Sequence, residues 1–388
     1  MITIRTVDQL QLRNRRVFDR VDYNVPLDGG TVADATRIEE TLPTLRLLRE
    51  RDASVVLASH LGRPKGQRNE QYSLAPVRAK LAELIGADVQ WASDCIGSDA
   101  ERKASQLRPG ELLLLENLRF HAGEEKNDRG FAEQLRKLAD LYVNDAFGAS
   151  HRAHASIDAL PRLFPRDAIA GGLLMAKEIE FLQKVTTAPE RPFVALLGGA
   201  KIAGKIEALQ ALVGLADTLL IGGGMANTFL AARGVKMGAS LVDVGSIALA
   251  KQILGGTHRA AIVLPSDLVL EDSTVADAGK GLAETQKALD IGPRTVAAFD
   301  AQLKQARMIF WNGPMGMFEK EAFAAGTMAM ARAIAEADAV SVVGGGESVE
   351  AVKRSGYADR ISHISTGGGA SLEFIAGEQL PGVAVLQD

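Results

Sequence analysis

The sequence predicts an α/β protein of two domains, each built around a parallel sheet that helices cover. Short apolar runs alternate with longer segments of helical period, which is typical of βα units and of a sheet buried on both faces. The chain has 388 residues, more than the ~250–300 at which a single hydrophobic core usually stops growing. Prolines and a glycine pair interrupt the pattern between residues 161 and 172, and we place the domain junction there.

Nine apolar runs are predicted to be strands, and helical patterns follow most of them. They are Val17–Val21, Ser54–Ala58, Leu112–Leu115, Leu141–Val143, Phe193–Leu197, Thr218–Ile221, Ala261–Leu264, Met308–Trp311 and Val340–Val343. Leu173–Val185 is predicted to be one helix, because glycines precede it and prolines follow it. This helix would connect the two domains.

The composition is that of an ordinary globular protein. Hydrophobic residues make up 47% of the chain and charged residues 24%, with a formal net charge of −4. This balance argues against a disordered chain and against a nucleic-acid partner. There is no run of 18 apolar residues and no signal peptide, so we expect a cytoplasmic protein without a membrane partner. Cys95 is the only cysteine, which excludes an intrachain disulfide and a metal cluster held by cysteines.

Three glycine triplets in the second half each follow a strand-like run and precede a helical pattern. They are Gly222–Gly224, Gly344–Gly346 and Gly367–Gly369. Glycine lets backbone N–H groups approach an anion closely, and the dipole of the following helix favours negative charge. Because ligands of parallel sheets bind at the carboxyl ends of the strands, we predict an anion site at that edge.

One familiar nucleotide-binding motif is incomplete. Gly199, Gly204 and Lys205 fit the phosphate loop G-x-x-x-x-G-K, but Ile206 stands where that motif needs a hydroxyl for magnesium. This argues against a P-loop ATPase. Lys201 and Lys205 are four residues apart, so they would share one face if the segment is helical, and two ammonium groups suit a polyphosphate. The alternative is an exposed lysine face.

Arginine and histidine residues follow four predicted strands of the first half. Residues 1–170 contain 20 Arg and 5 Lys, whereas residues 171–388 contain 8 Arg and 11 Lys. The guanidinium fork binds carboxylate and phosphate groups with two hydrogen bonds. Since the carboxyl ends of parallel strands open on one crevice, these side chains predict a site for a small anionic substrate.

Eight motifs resemble those of the phosphoglycerate kinase family, in the family's order. They are RVDYNVP, SHLGRP, ENLRF, NDAFG, GGAKIAGKI, GGGMANTF, WNGPMGMFE and STGGGASLEF, and they span residues 20 to 374. The resemblance implies two doubly wound, Rossmann-like α/β domains that face each other across a cleft. It implies a phosphoglycerate-binding domain at 1–170, an interdomain helix at 171–187, a nucleotide-binding domain at 188–370, and a segment at 371–388 that returns to the first domain.

The activity implied by the resemblance is reversible phosphoryl transfer from 1,3-bisphosphoglycerate to ADP, giving ATP and 3-phosphoglycerate in glycolysis or gluconeogenesis. The substrate-binding residues implied are Asp22, Asn24, Arg37, His60, Leu61, Gly62, Arg63, Arg119 and Arg152. The nucleotide-binding residues implied are Lys201, Lys205, Gly222, Gly223, Glu319, Gly345, Gly346, Glu347 and Ser348. Mg²⁺ would accompany ADP or ATP, with Glu347 as its protein ligand, and we expect a monomer.

The chemistry implied needs no general base. The acceptor carboxylate is ionised at neutral pH, because unperturbed carboxyl groups have pKa values near ~4. The enzyme must align two charged ligands after hinge closure and stabilise a metaphosphate-like transition state. The groups that we expect to stabilise the negative charge of this transition state are Arg37, Lys201 and the N–H groups of Gly346 and Gly368. A non-catalytic sensor of the same fold is the alternative.

Three positions depart from the family pattern. The family usually has aspartate at the position of Glu347 and a polar residue at the position of Gly204. Asp19 stands at a strand position that is normally apolar, and its burial without a partner would destabilise the first sheet.

Overall fold

The protein is described by a computed structural model that covers Ile2–Gln387. Within those residues the chain forms two compact units, which divide between Glu180 and Phe181. The chain returns to the first unit at Gln379, later than the position 371 expected from the sequence. The boundary between Glu180 and Phe181 falls inside Leu173–Val185, the helix predicted to connect the domains.

The first unit contains a six-stranded parallel sheet and a small hairpin. Its strands are β1 (Arg16–Val21), β2 (Leu27–Asp28), β3 (Thr31–Val32), β4 (Ser54–Ala58), β5 (Val89–Trp91), β6 (Leu112–Leu114), β7 (Leu141–Asp145) and β8 (Ile169–Gly171). The order across the sheet is β5-β6-β4-β1-β7-β8, and β2 pairs with β3. The strands β4, β5 and β6 lie on one side of β1, whereas β7 and β8 lie on the other, so the switch point lies between β1 and β7.

Helices cover this sheet and end in the helix that leads to the second unit. They are α1 (Thr36–Glu39), α2 (Leu42–Glu50), α3 (Ala75–Ile85), α4 (Ser98–Gln106), α5 (Ala122–Glu125), α6 (Arg129–Arg136) and α7 (Leu173–Thr186). Helix α6 begins where the Asp128 carboxylate accepts a hydrogen bond from Phe131 N at 2.7 Å, a typical N-cap. Helix α7 begins where Asp145, at the end of β7, accepts from Met175 N at 3.0 Å.

The second unit contains a six-stranded parallel sheet and a three-stranded antiparallel sheet. Its strands are β9 (Phe193–Leu197), β10 (Thr218–Ile221), β11 (Ala261–Val263), β12 (Asp267–Leu270), β13 (Val275–Asp277), β14 (Ala288–Ile291), β15 (Met308–Asn312), β16 (Val340–Gly344) and β17 (His363–Ile364). The parallel order is β11-β10-β9-β15-β16-β17, and the antiparallel order is β13-β12-β14. The parallel sheet therefore has the doubly wound order, with its switch point between β9 and β15.

The helices of the second unit pack on this sheet and bury its apolar strands. They are α8 (Ile206–Leu215), α9 (Gly223–Ala232), α10 (Ile247–Gly255), α11 (Pro293–Leu303), α12 (Ala325–Glu336), α13 (Gly346–Ser355) and α14 (Gly369–Ile375). Trp311 and Phe299 lie at 0% exposure in the core. The last helix, α15 (Pro381–Ala384), belongs to the first unit.

The predicted fold class of two doubly wound parallel α/β domains is confirmed, and a strand lies at each of the nine predicted positions. The helix predicted at Leu173–Val185 is α7, one residue longer. Within residues 2–387, no helix combines the length and apolar character needed to span a membrane.

Candidate functional site

The carboxyl edge of the first sheet gathers side chains from four adjacent strands. Strands β6, β4, β1 and β7 are neighbours in the sheet. Each is followed by polar residues that belong to the predicted substrate-binding residues or to the motifs that resemble the family's. Asp22 follows β1, His60 follows β4, and Arg119 lies in the short helical turn after β6. This edge is where a parallel sheet binds ligands.

Arg37 is held in place by the segment that follows β1. Its Nη1 donates to the Asn24 carbonyl oxygen at 3.0 Å and lies 3.3 Å from Asp22 Oδ2. The side chain of Arg37 is 32% exposed, whereas that of Asp22 is 10% exposed. A largely buried carboxylate therefore orients a guanidinium group that still reaches solvent.

The loop from His60 to Arg63 is tied to two other strand ends. The Asn24 side-chain oxygen accepts from Gly62 N at 2.9 Å, and Arg119 Nη1 donates to the Gly62 carbonyl at 2.8 Å. Gly62 has a φ of +62°, and a Cβ there would lie 2.3 Å from the Tyr72 ring, so glycine is required. Leu61 is buried and Arg63 is exposed beside this loop.

Positive charge dominates this edge, as the histidines show. Burial, followed by the charges of Arg20 and Arg119, holds the pKa of His60 well below its usual range. Burial and the same two arginines lower the pKa of His154 to about 3. Neither imidazole is cationic at neutral pH, so the 3.7 Å approach of His60 Nδ1 to Asp22 is not an ion pair. Because Arg20 can only donate, His60 Nδ1 accepts its Nη2 hydrogen bond at 3.2 Å.

Arg20 belongs to this site but is not among the substrate-binding residues implied by the resemblance. It is fully buried on β1, and its Nε donates to Ser156 Oγ at 2.8 Å. A second charged residue next to Asp19 within the predicted strand Val17–Val21 was the available signal, since buried charges need partners. Arg152 is exposed, and its Nε donates to His151 Nε2 at 3.1 Å.

In the second unit, Lys205 lies at the switch point of the sheet. Its Nζ donates to the carbonyl oxygens of Gly198, at 2.9 Å, and of Asn312, at 3.4 Å. Gly198 directly follows β9, and Asn312 is the last residue of β15. Burial lowers the pKa of Lys205 to about 8, while the Glu347 carboxylate opposes that shift. The ammonium group is therefore fixed where the sheet opens.

The hypothesis that Lys201 and Lys205 share a helix face is wrong. Helix α8 begins at Ile206, and residues 201–205 form a non-helical loop in which Lys205 is the N-cap. Lys205 turns onto the strand ends, whereas Lys201 is exposed. The ammonium groups of Lys201 and Lys205 therefore do not lie together on one helix face.

Glycines bring three backbone segments into close contact around Lys205. A Cβ on Gly223, where φ is +61°, would lie 2.8 Å from Gly199 N and from the Pro314 carbonyl oxygen. A Cβ on Gly313 would lie 2.6 Å from Lys205 Nζ. These distances are too short for a real side chain, so only glycine allows the strand ends to form this narrow cradle.

A helix begins within each of the three glycine triplets. Helix α9 begins at Gly223 after the N-cap Gly222, α13 begins at Gly346 after Gly345, and α14 begins at Gly369 after Gly368. In α13, Glu347 lies in the first turn, and buried Ser348 Oγ accepts from Gly313 N at 2.5 Å. Ser348 thus holds the loop after β15 in position.

A cavity of about 680 Å³, its open mouth included, lies beside this cradle. Backbone of Gly223 and Gly224 forms one part of its wall, and the side chains of Leu241, Leu289 and Met317 are among the apolar lining. Glu319 and Glu347 also line it. An apolar slot with carboxylates at its border suits a planar base joined to a hydroxyl-rich sugar.

The chain is similar to known proteins over nearly its whole length. The family model described as phosphoglycerate kinase matches residues 7–378. The phosphoglycerate kinase of Moorella thermoacetica is 52% identical over 391 residues, 99% of each chain. That of Koribacter versatilis is 50% identical over 398 residues, 98% of each chain.

Two solved structures are similar over nearly the whole chain. Phosphoglycerate kinase from Coxiella burnetii has a TM-score of 0.88 at 35% identity, with 99% of each chain covered. That from Pyrococcus horikoshii OT3 has a TM-score of 0.89 at 35% identity, covering 99% of this chain and 98% of the other.

Proposed function

Because this chain belongs to the phosphoglycerate kinase family, it is a phosphotransferase, and we propose that its first unit binds the phosphoglycerate and its second unit the nucleotide. The reaction is reversible phosphoryl transfer from 1,3-bisphosphoglycerate to ADP, which gives ATP and 3-phosphoglycerate in glycolysis and gluconeogenesis. The substrate residues proposed are Asp22, Asn24, Arg37, His60, Leu61, Gly62, Arg63, Arg119 and Arg152.

The observation that carries this proposal is the excess of positive charge at the carboxyl edge of the first sheet. Burial, followed by the charges of nearby arginines, holds the pKa of His60 well below its usual range and lowers that of His154 to about 3. Arg20 and Arg119 act on both histidines, Arg37 acts on His60 and Arg152 acts on His154. Such a field stabilises a bound anion with several negative charges. The carboxylate and phosphate of 3-phosphoglycerate provide those charges on a small molecule.

The histidines also indicate how the reaction proceeds. With depressed pKa values, His60 and His154 are neutral hydrogen-bonding groups rather than proton donors at neutral pH. The reaction does not need a base, because the attacking carboxylate of 3-phosphoglycerate is already ionised. Catalysis then depends on alignment and on charge stabilisation of the transferred group.

The groups proposed to stabilise that charge come from both units. In the first unit, Arg37 is pre-oriented by Asp22 and the Asn24 carbonyl. In the second, Lys201 and the N–H groups of Gly346 and Gly368 complete the set. Transfer requires direct contact between the two ligands, so the proposal includes closure of the units in each turnover.

The nucleotide is proposed to occupy the cradle and cavity of the second unit. The residues proposed are Lys201, Lys205, Gly222, Gly223, Glu319, Gly345, Gly346, Glu347 and Ser348. Lys205 would contact phosphate oxygens, and Glu319 would accept from ribose hydroxyls, since it lines the cavity.

Magnesium is proposed to arrive with the nucleotide. Mg²⁺ is usually held by one or two carboxylates together with substrate phosphates, and the carboxylate of Glu347 beside the cavity fits that requirement. When bound, the ion neutralises phosphate charge. The proposal also includes a cytoplasmic, monomeric enzyme, which suits a metabolic reaction whose groups all belong to one chain.

The proposal is tested by mixing the protein with Mg-ATP and 3-phosphoglycerate and coupling product formation to a dehydrogenase. We expect nucleotide turnover that depends on 3-phosphoglycerate and stops when a chelator removes the metal. ATP hydrolysis without 3-phosphoglycerate would favour an ATPase. Binding of both ligands without turnover would favour a sensor and overturn the proposal.

A further inference from the structure

Three side chains with different metal-binding atoms meet in the first unit, outside the site described above. Asp94 and Cys95 lie in the loop between β5 and α4, and His121 directly precedes α5. A carboxylate oxygen of Asp94, Cys95 Sγ and a ring nitrogen of His121 all lie within 4.8 Å of one another. The proposed phosphoryl transfer uses none of them.

Neighbouring groups hold these side chains in position. The His121 ring stacks on Phe131, with ring centroids 5.3 Å apart, and its Nε2 lies 2.6 Å from Asp94 Oδ1. Asp94 Oδ1 also accepts from Cys95 N at 2.6 Å. The loop itself is fixed by Arg68 Nη1, which donates to the Ser93 carbonyl at 2.8 Å. Binding an ion would therefore not require an unstructured segment to fold.

The cluster is buried on its thiol side and open on its carboxylate and imidazole side. Cys95 is fully buried, whereas the side chains of His121 and Asp94 are 29% and 49% exposed. Burial, followed by the carboxylates of Asp94 and Glu124, raises the pKa of the Cys95 thiol, so the thiol is protonated at neutral pH while no ion is bound. An ion could reach the cluster from the exposed side and keep a water molecule there.

We propose that Asp94, Cys95 and His121 form a site for a divalent transition-metal ion that binds thiolates, for which zinc fits the donor set best. Zinc takes sulfur, nitrogen and oxygen ligands in tetrahedral geometry, and three protein ligands with one water is a common arrangement. Magnesium prefers oxygen ligands in octahedral geometry. The metal of the nucleotide should therefore not compete for this site.

Binding requires two changes. The thiol releases its proton to solvent, since only the thiolate is a ligand. The hydrogen bond between His121 and Asp94 opens, because two ligand atoms on one tetrahedral zinc lie roughly 3.3 Å apart, which is farther than the 2.6 Å observed. Both moving side chains are partly exposed, so solvent can accommodate the shift.

The ion would join the loop after β5 to the segment that carries Arg119. His121 comes two residues after Arg119 and ends the helical turn Leu118–Phe120. We therefore expect the ion to stabilise the first unit, because a ligand that binds only the folded state raises stability. No role in phosphoryl transfer is needed to explain the cluster.

The test is a titration of the full, metal-free chain with Co²⁺, followed by absorption spectroscopy. A thiolate-to-cobalt charge-transfer band can arise only from Cys95, the single cysteine. We expect the band at one equivalent of cobalt, its loss on adding Zn²⁺, and no change on adding Mg²⁺. Cys95→Ser should abolish the band.

His121→Ala and Asp94→Asn keep the thiol and therefore test the full set of ligands. Loss of a group that only supports a metal ligand typically weakens metal binding 10–100-fold. Loss of a ligand itself should weaken binding at least as much, so each variant should weaken cobalt binding by at least about tenfold. His258→Ala, a change in the second unit, should leave affinity unchanged. The proposal is overturned if wild-type protein gives no thiolate band, or if both variants bind cobalt as tightly as wild type.

Discussion

Asp19 is completely buried, and within residues 2–387 neither of its carboxylate oxygens has a hydrogen-bond partner. Burial, followed by the nearby Asp145 carboxylate, raises its pKa well above the usual range, although the Arg20 charge opposes the shift. Burial also raises the pKa of Asp145 to about 6. For a carboxyl group whose pKa is higher in the folded state, the contribution to stability is full below ~4 and is lost as pH rises through the folded pKa. At neutral pH this pair therefore destabilises the first unit.

We predict that Asp19→Leu raises the free energy of unfolding at pH 7 by roughly 1–3 kcal/mol, because it removes a buried group without a partner. The gain should shrink as pH falls from 7 to 4. Urea denaturation at a series of pH values measures both effects. Asp88→Leu, at an exposed position, should change stability by less than about 0.5 kcal/mol. A loss of stability in Asp19→Leu at pH 7 would contradict the argument.

Arg37 is predicted to act on the transition state rather than on nucleotide binding. Arg37→Ala should lower kcat by orders of magnitude while leaving nucleotide affinity nearly intact, because its contacts lie in the first unit. Steady-state kinetics and calorimetric titration with Mg-ADP separate the two effects. Arg46→Ala, at an exposed position of α2, is the matched control. An unchanged kcat would remove Arg37 from its proposed role.

At the scale of elements, the parallel strands could be predicted because they are apolar runs buried on both faces. The missed strands lack that signal. Strand β5 has three residues, too few to show a period, and Ile169–Gly171 lies among the glycines and prolines assigned to the junction. The antiparallel strands β12, β13 and β14 have only three or four residues, and each contains an aspartate, such as Asp267 in β12 and Asp290 in β14. Both carboxylates are buried and accept backbone hydrogen bonds that only the folded chain provides.

The close packing of segments around Gly223 leads to a prediction for the nucleotide cradle. Gly223→Ala should weaken nucleotide binding at least tenfold and destabilise the second unit, because a Cβ would lie 2.8 Å from two backbone atoms and φ is positive. Gly214→Ala is the control, since a Cβ there meets nothing within 4 Å and the residue lies in helix α8. That control should stabilise the protein by roughly 0.5–1 kcal/mol. Unchanged binding in Gly223→Ala would contradict the proposed position of the nucleotide.

At the scale of the whole molecule, each unit has a doubly wound sheet, and the candidate residues gather at its carboxyl edge. The sequence could predict this, because motifs that directly follow parallel strands must share an edge. It could not predict the contacts among them. Arg20 beside His60, and the carbonyl groups that fix Lys205, depend on side-chain directions that pairing and packing determine. The error about Lys201 has a different cause, because helix α8 begins only at Ile206, after both lysines.

The central claim is that one unit binds the phosphoglycerate and the other the nucleotide. Hydrogen–deuterium exchange of the full chain with each ligand alone tests it most directly. We predict that 3-phosphoglycerate slows exchange in residues 20–26, 59–64 and 116–122, and that Mg-ADP slows exchange in 198–206, 222–228 and 312–319. Protection of the same unit by both ligands would contradict the account.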